Sequence, residues 1–265
     1  SKPGQRRRQK EDWAGMEQNI VLTGMVLNVM PIGEYDKRIT VLTKERGKIT
    51  AFARGARRPT SQLLAVTAPF SFGEFEFFQG RSTYNLRKAS ISNYFRGLSA
   101  DPIKACYGFY FLEVADFYAR ENNNEKELLK LLYLSLRALE TGKMDCRLIR
   151  RVFELRVLLE AGECPDVSAC RCCGKKEGLK YFSAQSHGML CGACFQGGDG
   201  IKTEDSAVYA MQYALASEVK KLYTFTVSEK VLSQLERILD RIFVEETGHT
   251  FRALEIIKEM GQGMY

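Results

Sequence analysis

The segment Cys170–Cys194, CRCCGKKEGLKYFSAQSHGMLCGAC, holds five of the eight cysteines of this 265-residue chain. Two Cys-x-x-Cys pairs, Cys170 with Cys173 and Cys191 with Cys194, are separated by 17 residues. Two such turns bring four thiolates onto one tetrahedral ion, and the spacing is that of structural zinc. A glycine stands by each pair, Gly174 and Gly192, and is expected to let the backbone wrap tightly around a sulfur ligand. Between the pairs, LKYFSAQSHGML (179–190) reads as a short hairpin, with Leu179, Tyr181 and Phe182 before a polar turn and Met189 and Leu190 after it. The segment is therefore predicted to be a zinc-ribbon-like finger holding Zn2+. Two further residues leave the ligand set open: Cys172 lies inside the first pair and can stand in for Cys173, and His187 is four residues before Cys191. A catalytic zinc keeps an open position beside a general base. Four cysteines fill the shell, so the predicted role is structural.

Outward from the finger, the chain divides by periodicity. Residues 20–91 read as short strands: IVLTGMVLNVM ending at Pro31, KRITVLTK, GKITAFARGARR, FSFGEFEFFQ and TYNLRKASI. In the fourth, Phe70, Phe72, Phe75 and Phe77 are taken to mark one face and Glu74 and Glu76 the other. Gly80 and Arg81 turn the chain into the fifth strand. Five antiparallel strands with PTSQLLAVTA crossing before the fourth suggest a small closed barrel of the oligonucleotide-binding (OB) type, with an SH3-like barrel as the rival.

After Asp101 the period becomes helical. PIKACYGFYFLEVADFYAR presents Ile103, Tyr107, Tyr110, Phe111, Val114 and Phe117 as an apolar stripe with Pro102 in the first turn. NEKELLKLLYLSLRALETG stops at Gly142, and DCRLIRRVFELRVLLEAG runs from an Asp145 cap to Gly162. Beyond the finger, Thr203 and Ser228 are predicted to cap two more helices, the second ending at Gly248, and FRALEIIKEM forms the last. The predicted class is α+β and multidomain. A basic tail occupies residues 1–15, a five-stranded OB barrel 16–95, and an all-α domain 96–265, with the finger inserted at about 165–200.

Composition is that of a globular protein, 45% hydrophobic and 27% charged. There is no apolar run long enough to span a membrane, and the basic N-terminus has no apolar core behind it, so neither a membrane span nor a secretory signal is expected. Thiols without a signal peptide point to a reducing cytoplasm and a metal; Cys106, Cys146 and Cys164 read as buried thiols. Residues 1–15 lack apolar periodicity and carry Arg6, Arg7, Arg8 and Lys10, which predicts a disordered tail ahead of Met16 as the natural start. The net charge of +7 is uneven: residues 16–95 carry eleven Lys/Arg against six acids, residues 96–265 carry 23 against 24. A basic front half suits a polyanion. The candidate phosphate-binding residues are Arg54, Arg57 and Arg58, with Lys37, Arg38, Lys44, Arg46 and the nearby Lys48, and Arg81, Arg87 and Lys88 on the last hairpin. Tyr35, Phe52, Tyr84 and Tyr94 are the candidates for base stacking. Taken singly, each is as readily a solvated strand face or core aromatic. Arg147, Arg150, Arg151 and Arg156 on the third long helix are candidates for a basic groove.

The residues quoted so far resemble a known family. VLTGMVLNVMPIGEYDKRITVLTKERGKITAFARGARR (21–58), TYNLRKASI (83–91), FELRVLLEAGECPDVSACRCCG (153–174) and CGAC (191–194) are similar to the bacterial RecO recombination-repair mediators. The similarity covers the chain from Met16 onward. His187-Gly188 departs from the paired glycines common in that family, and Cys172 is an additional cysteine. The resemblance implies an N-terminal OB barrel, a helical domain and a zinc finger. It also implies cytoplasmic, nucleoid-associated, non-enzymatic activity: binding single- and double-stranded DNA, annealing complementary strands and, with RecR, loading RecA onto DNA coated by single-strand-binding protein. The acidic, apolar-ended tail of that last partner would suit a pocket rimmed by Arg147, Arg150 and Arg151 near residues 145–161. In agreement with a non-enzymatic role, there is no P-loop or H-E-x-x-H, and the two histidines, His187 and His249, lie in no catalytic pattern. Two readings of other classes compete: a zinc-dependent enzyme acting on nucleic acid, which needs an open metal position, and a protein-interaction adaptor that binds no DNA.

Overall fold

The computed structural model describes residues 18–262; the predicted basic tail at residues 1–15 lies outside them. Strand β1 (Gln18–Ile32) is long enough to pair with β4 (Phe72–Gln79) through its first half and with β2 (Asp36–Thr43) through its second. β3 (Gly47–Ala53) pairs with β2, and β5 (Tyr84–Asn93) pairs with β4. The ring closes through a short parallel contact, Ala51 opposite Tyr84 and Phe52 opposite Asn85, to give a five-stranded barrel of order β1-β2-β3-β5-β4. This is the OB arrangement. In an SH3-like meander β3 and β4 would be neighbours. The crossing segment carries one helical turn, α1 (Leu63–Val66). Gly24 and Gly73 stand opposite each other where β1 passes from one partner to the other. A Cβ on Gly73 would lie 2.1 Å from the Ser90 carbonyl oxygen, and one on Gly24 would lie 2.6 Å from that of Leu42, so the strands close here only on glycine.

Alternation along the strands fills two different cores. Leu22, Val26, Ile39, Val41, Ile49, Ala51, Phe75, Phe77 and Leu86 point into the barrel. Met25, Leu27 and Leu42 point outward and belong to the core of the helical region. Phe70 and Phe72 do the same, which corrects the expectation that they share a face with Phe75 and Phe77. Phe72 and Phe75 are an odd number of residues apart, so they fall on opposite faces, and Phe72 packs on Tyr133 with ring centroids 4.7 Å apart.

The short α2 (Arg96–Ser99) leads into α3 (Pro102–Tyr118), whose N-terminus is capped by Asp101 accepting from the amides of Ile103 and Lys104. α4 (Lys126–Thr141) and α5 (Cys146–Ala161) end at Gly142 and Gly162, both left-handed. α3 is buried around most of its circumference, whereas Ile103 and Phe117 of the expected stripe are exposed, at 43% and 42%. The finger follows as β6 (Leu179–Ser183), β7 (Gly188–Cys191) and β8 (Ile201–Lys202). α6 (Asp205–Ala216), α7 (Glu229–Thr247) and α8 (Arg252–Gln262) complete the bundle. Ser228 caps α7 as expected, but Thr203 does not cap α6: it is buried, and its hydroxyl donates to the Ile201 carbonyl. Phe182, Met189 and Ile201 of the finger enter the same core as α3 to α7.

The barrel is also fixed through its β2–β3 turn. The Lys48 amide donates to the Arg120 carbonyl at 3.0 Å and the Asn122 amide to the Arg46 carbonyl at 3.1 Å. The Lys48 ammonium reaches the Asp116 carboxylate at 3.1 Å and its carbonyl at 2.6 Å.

Candidate metal centre and nucleic-acid interface

β6 and β7 form the predicted hairpin, Leu179 pairing with Cys191 and Phe182 with Met189, so the second Cys-x-x-Cys turn emerges at the mouth of the first. Local hydrogen bonds shape both knuckles: the Gly174 amide donates to the Cys170 carbonyl at 2.8 Å, and the Cys194 amide to the Cys191 carbonyl at 3.1 Å. Gly174 takes the left-handed φ of 75° that its turn requires, while Gly192 does not, so glycine is obligatory at only the first knuckle.

The sulfur atoms of Cys170, Cys173, Cys191 and Cys194 all lie within 4.8 Å of one another. Cys173 and Cys191 are 3.8 Å apart. Zinc–sulfur bonds of ~2.3 Å at tetrahedral angles require edges of about 3.8 Å, so the group fits such an ion. The Cys191 amide also donates to the Cys170 sulfur at 3.3 Å. Burial pushes the Cys170 thiol up, but the amides of Cys191, Cys173 and Cys172 outweigh it and bring its pKa down to about 6. A neighbourhood of backbone N–H groups that favours a thiolate is what a cation site needs. Cys194 shifts the other way, raised first by its hydrogen bond with Cys191 and next by one with Cys172. These four cysteines can hold a metal ion. Cys172 is exposed and is not among the four. His187 occupies the hairpin turn, half-buried with φ of 51°, outside the four-sulfur group.

The ten predicted phosphate-binding residues fall into separate places on the barrel. Arg57 donates to the Gly33 carbonyl, and the Arg58 guanidinium lies 4.9 Å from the centre of the Tyr35 ring. These contacts hold Arg57 and Arg58 at the end of the barrel where β2 begins, and Arg54 directly follows Ala53, which pairs with Lys37. Lys37 turns inward, donating to the Leu64 carbonyl and the Thr67 hydroxyl, and desolvation with the nearby Arg57 lowers its pKa. Arg38 lies against the Met30 sulfur. Lys44 and Arg46 sit at the opposite end, where Arg46 donates to Gln79 and Tyr84. On β5, Arg87 stacks on Phe78 and Lys88 pairs with Glu76 at 3.0 Å. The side chains of Arg54, Arg81 and Lys44 are exposed, with no ion-pair partner among the described residues. Of the four stacking candidates only Tyr35 is exposed, at 41%; Phe52, Tyr84 and Tyr94 are half-buried.

The candidate groove on α5 is not present. Arg150 and Arg151 are buried, at 6% and 4% exposure, around Glu154 at 0%. Arg150 Nε donates to Glu154 at 2.7 Å, Arg151 Nη1 at 2.9 Å, and the Tyr110 hydroxyl at 2.6 Å. Both arginines also reach Asp240 of α7. Arg147 grips Glu229 and Glu236, each at 2.8 Å. Arg156 donates to the carbonyls of Ala214, Leu215 and Ser217, closing the C-terminus of α6. Arg150 and Arg151 are thus turned into the fold onto carboxylates, and Arg147 is held by Glu229 and Glu236 at its edge. An open apolar cleft, a cavity of about 580 Å3, lies between α6 and α7, lined by Tyr209, Tyr213, Phe225 and Val227 among others. Sequence reading missed Glu154, which looks like one more surface acid of an amphipathic helix.

Comparison with known proteins matches residues 16–95 to the family described as Recombination protein O N terminal, and residues 99–255 to Recombination protein O C terminal. The DNA repair protein RecO of Acetivibrio thermocellus is 32% identical over 240 residues, covering 90% of this chain and 96% of that one. The RecO of Alkaliphilus metalliredigens is 31% identical, covering 89% and 98%, and that of Clostridium novyi 27%, covering 91% and 94%. A barrel of OB order, a helical bundle and a four-cysteine finger in this sequence together place the chain in the RecO family of DNA repair and recombination proteins.

Proposed function

We propose that this protein is a non-enzymatic DNA-binding mediator of recombinational repair. It binds single- and double-stranded DNA and anneals complementary strands. With RecR it promotes RecA loading onto DNA coated by single-strand-binding protein, in the cytoplasm at the nucleoid. The observation that carries this reading is the exposed group Arg54, Arg57 and Arg58 just after β3, with Arg57 and Arg58 held against the β1–β2 hairpin and none of the three in an ion pair among the described residues. Phosphodiester strands repel each other, and a cationic surface that contacts backbones alone holds two of them with little sequence readout. Lys37, Arg46 and Lys88, which have protein partners, contribute less, leaving Arg38, Lys44, Arg81 and Arg87 as outlying contacts.

The metal is Zn2+ in a structural role, fastening the crossing between α5 and α6. The apolar end of an acidic tail on single-strand-binding protein enters the α6–α7 cleft, whose lining residues include no cation. A gel-shift salt titration with single-stranded and duplex oligonucleotides, run beside a metal assay, tests the reading. Affinity falling linearly with salt on logarithmic axes, with about one zinc per chain, supports it. Salt-independent or absent binding replaces it with the protein-interaction adaptor. No described helix is long and apolar enough to cross a membrane.

A further inference from the structure

The β1–β2 hairpin runs past the barrel that it helps to close. The ladder between β2 and β3 ends at Lys37 opposite Ala53, whereas β1 and β2 stay paired as far as Ile32 opposite Asp36. Residues Met30 to Tyr35 are all exposed. Among the described residues, the large apolar side chains that the barrel leaves exposed are Val21 and, gathered at this end, Met30, Ile32, Tyr35 and Leu64. Leu64 is placed here by its carbonyl, which accepts from the Lys37 ammonium. Val29 packs on the barrel core, so by strand alternation Met30 and Ile32 share the outer face. Three arginines brace this tip. Arg38 Nη2 lies 2.8 Å from the Met30 sulfur, and Arg57 donates from its guanidinium to the Gly33 carbonyl at 3.1 Å and from its amide to the Tyr35 carbonyl at 2.8 Å. The Arg58 guanidinium covers the Tyr35 ring at 4.9 Å, and the Gly55 amide donates to the Asp36 carboxylate at 2.7 Å.

The chemistry of this tip selects its occupant. Cations at its base take phosphates, and apolar side chains at its end take the faces of bases. Glu34, exposed in the turn, is acidic and suits the tip to bases rather than phosphates. Met, Pro and Ile, here consecutive as Met30-Pro31-Ile32, are side chains that proteins insert between base steps. We propose that the tip of the β1–β2 hairpin is a wedge that enters between neighbouring bases of a single DNA strand and holds them unstacked. The proposal rests on the reading of this end of the barrel as a DNA-binding surface. Parting two bases costs least where no complementary strand has to be opened, so the wedge favours single strands over duplex. Bases held apart cannot stack on each other, and their pairing edges stay open to an incoming complement. The wedge thereby supplies to annealing what charge alone does not.

The test uses the full-length protein and an oligonucleotide carrying 2-aminopurine, a base whose fluorescence rises when its neighbours no longer stack on it. It is titrated as a single strand and as a duplex with its complement. The expected result is a rise in fluorescence on the single strand. Met30→Ser with Ile32→Ser should abolish the rise and lower single-strand affinity about tenfold. Duplex affinity and the salt slope should stay as in the parent, because no phosphate contact has been removed. Met30→Leu with Ile32→Leu keeps apolar side chains and should keep both the rise and the affinity. Val21→Ser, an exposed aliphatic residue on the other half of β1, should change nothing. No rise in the parent, or a loss in the serine variant that is equal on duplex and single strand, overturns the wedge while leaving DNA binding standing. Unaltered affinity and fluorescence in the serine variant also overturn it and give the apolar tip to a protein partner. A parent that binds neither oligonucleotide overturns the DNA reading and the wedge with it.

Discussion

Two groups of arginines that look alike in sequence behave oppositely in the fold. Arg54, Arg57 and Arg58 follow β3 and leave their charge in solvent, Arg57 resting on a hairpin turn and Arg58 on an aromatic ring. Arg147, Arg150 and Arg151 lie on a helix and spend their charge on Glu154, Glu229, Glu236 and Asp240. The difference shows that a cation is available to an anionic partner only where the fold has provided no acid. The front half of the chain has few acids and the back half is balanced, so the balance itself is the signature of internal pairing.

The sharpest way to separate the halves is to disable the four-cysteine group that can hold a metal ion. Cys191→Ser, or chelation, should unfold the finger and lower the stability of the back half, because a site of this kind contributes on the order of 10 kcal/mol of binding energy to folding. Loss of helical signal on melting, preceding loss of DNA affinity, is the expected order. Next in size is Glu154→Ala, which strands two buried guanidinium groups. A cost of about 3–5 kcal/mol in urea unfolding is expected, with DNA affinity unchanged under conditions where the variant is folded. A cost below about 1 kcal/mol would mean that the cluster is solvated and that the contrast with the barrel is false.

On the barrel the expectations reverse. Arg54, Arg57 and Arg58 changed together to Glu should lower DNA affinity roughly a hundredfold at physiological salt and flatten the salt slope by about three. The melting temperature should stay near that of the parent. Unaltered affinity would sink the assignment of this end of the barrel to DNA.

Acid should distinguish the halves too. Burial pushes the Glu154 carboxyl up, but Arg150 and Arg151, with the Tyr110 hydrogen bond, hold it below its ordinary value. A depressed carboxylate stabilises the fold above its unfolded pKa of about 4.3, and that contribution is lost as pH falls through the lower folded value. Stability of the parent should therefore decline below about pH 4, and Glu154→Gln should shrink that decline. The smallest effect is Tyr35→Ala, which removes the ring under Arg58 and should cost about 0.5–1 kcal/mol. Its influence on affinity should exceed that on stability if the ring also stacks on bases.

Much of this was legible in the residues. The five strands, the caps at Asp145 and Ser228, the stops at Gly142, Gly162 and Gly248, and the convergence of four cysteines follow from local chemistry that needs no tertiary partner. What was not legible depends on partners distant in sequence. Phe72 and Phe75 differ in face, but only the presence of Tyr133 shows why the outer face is apolar. Arg150 and Arg151 could be seen as buried only once Tyr110 and Asp240, from two other helices, were known to flank Glu154. Thr203 has the chemistry of a cap, yet the register of β8 against β6 turned it inward.

Met25, Leu27, Leu42 and Phe72 face out of the barrel and into the helices. The consequence reaches the bench: a fragment cut near residue 95 would carry a bare greasy wall and tend to associate with itself. Dissection of this protein by truncation would report on stickiness instead of recognition. Point changes in the intact polypeptide are the instrument its architecture permits.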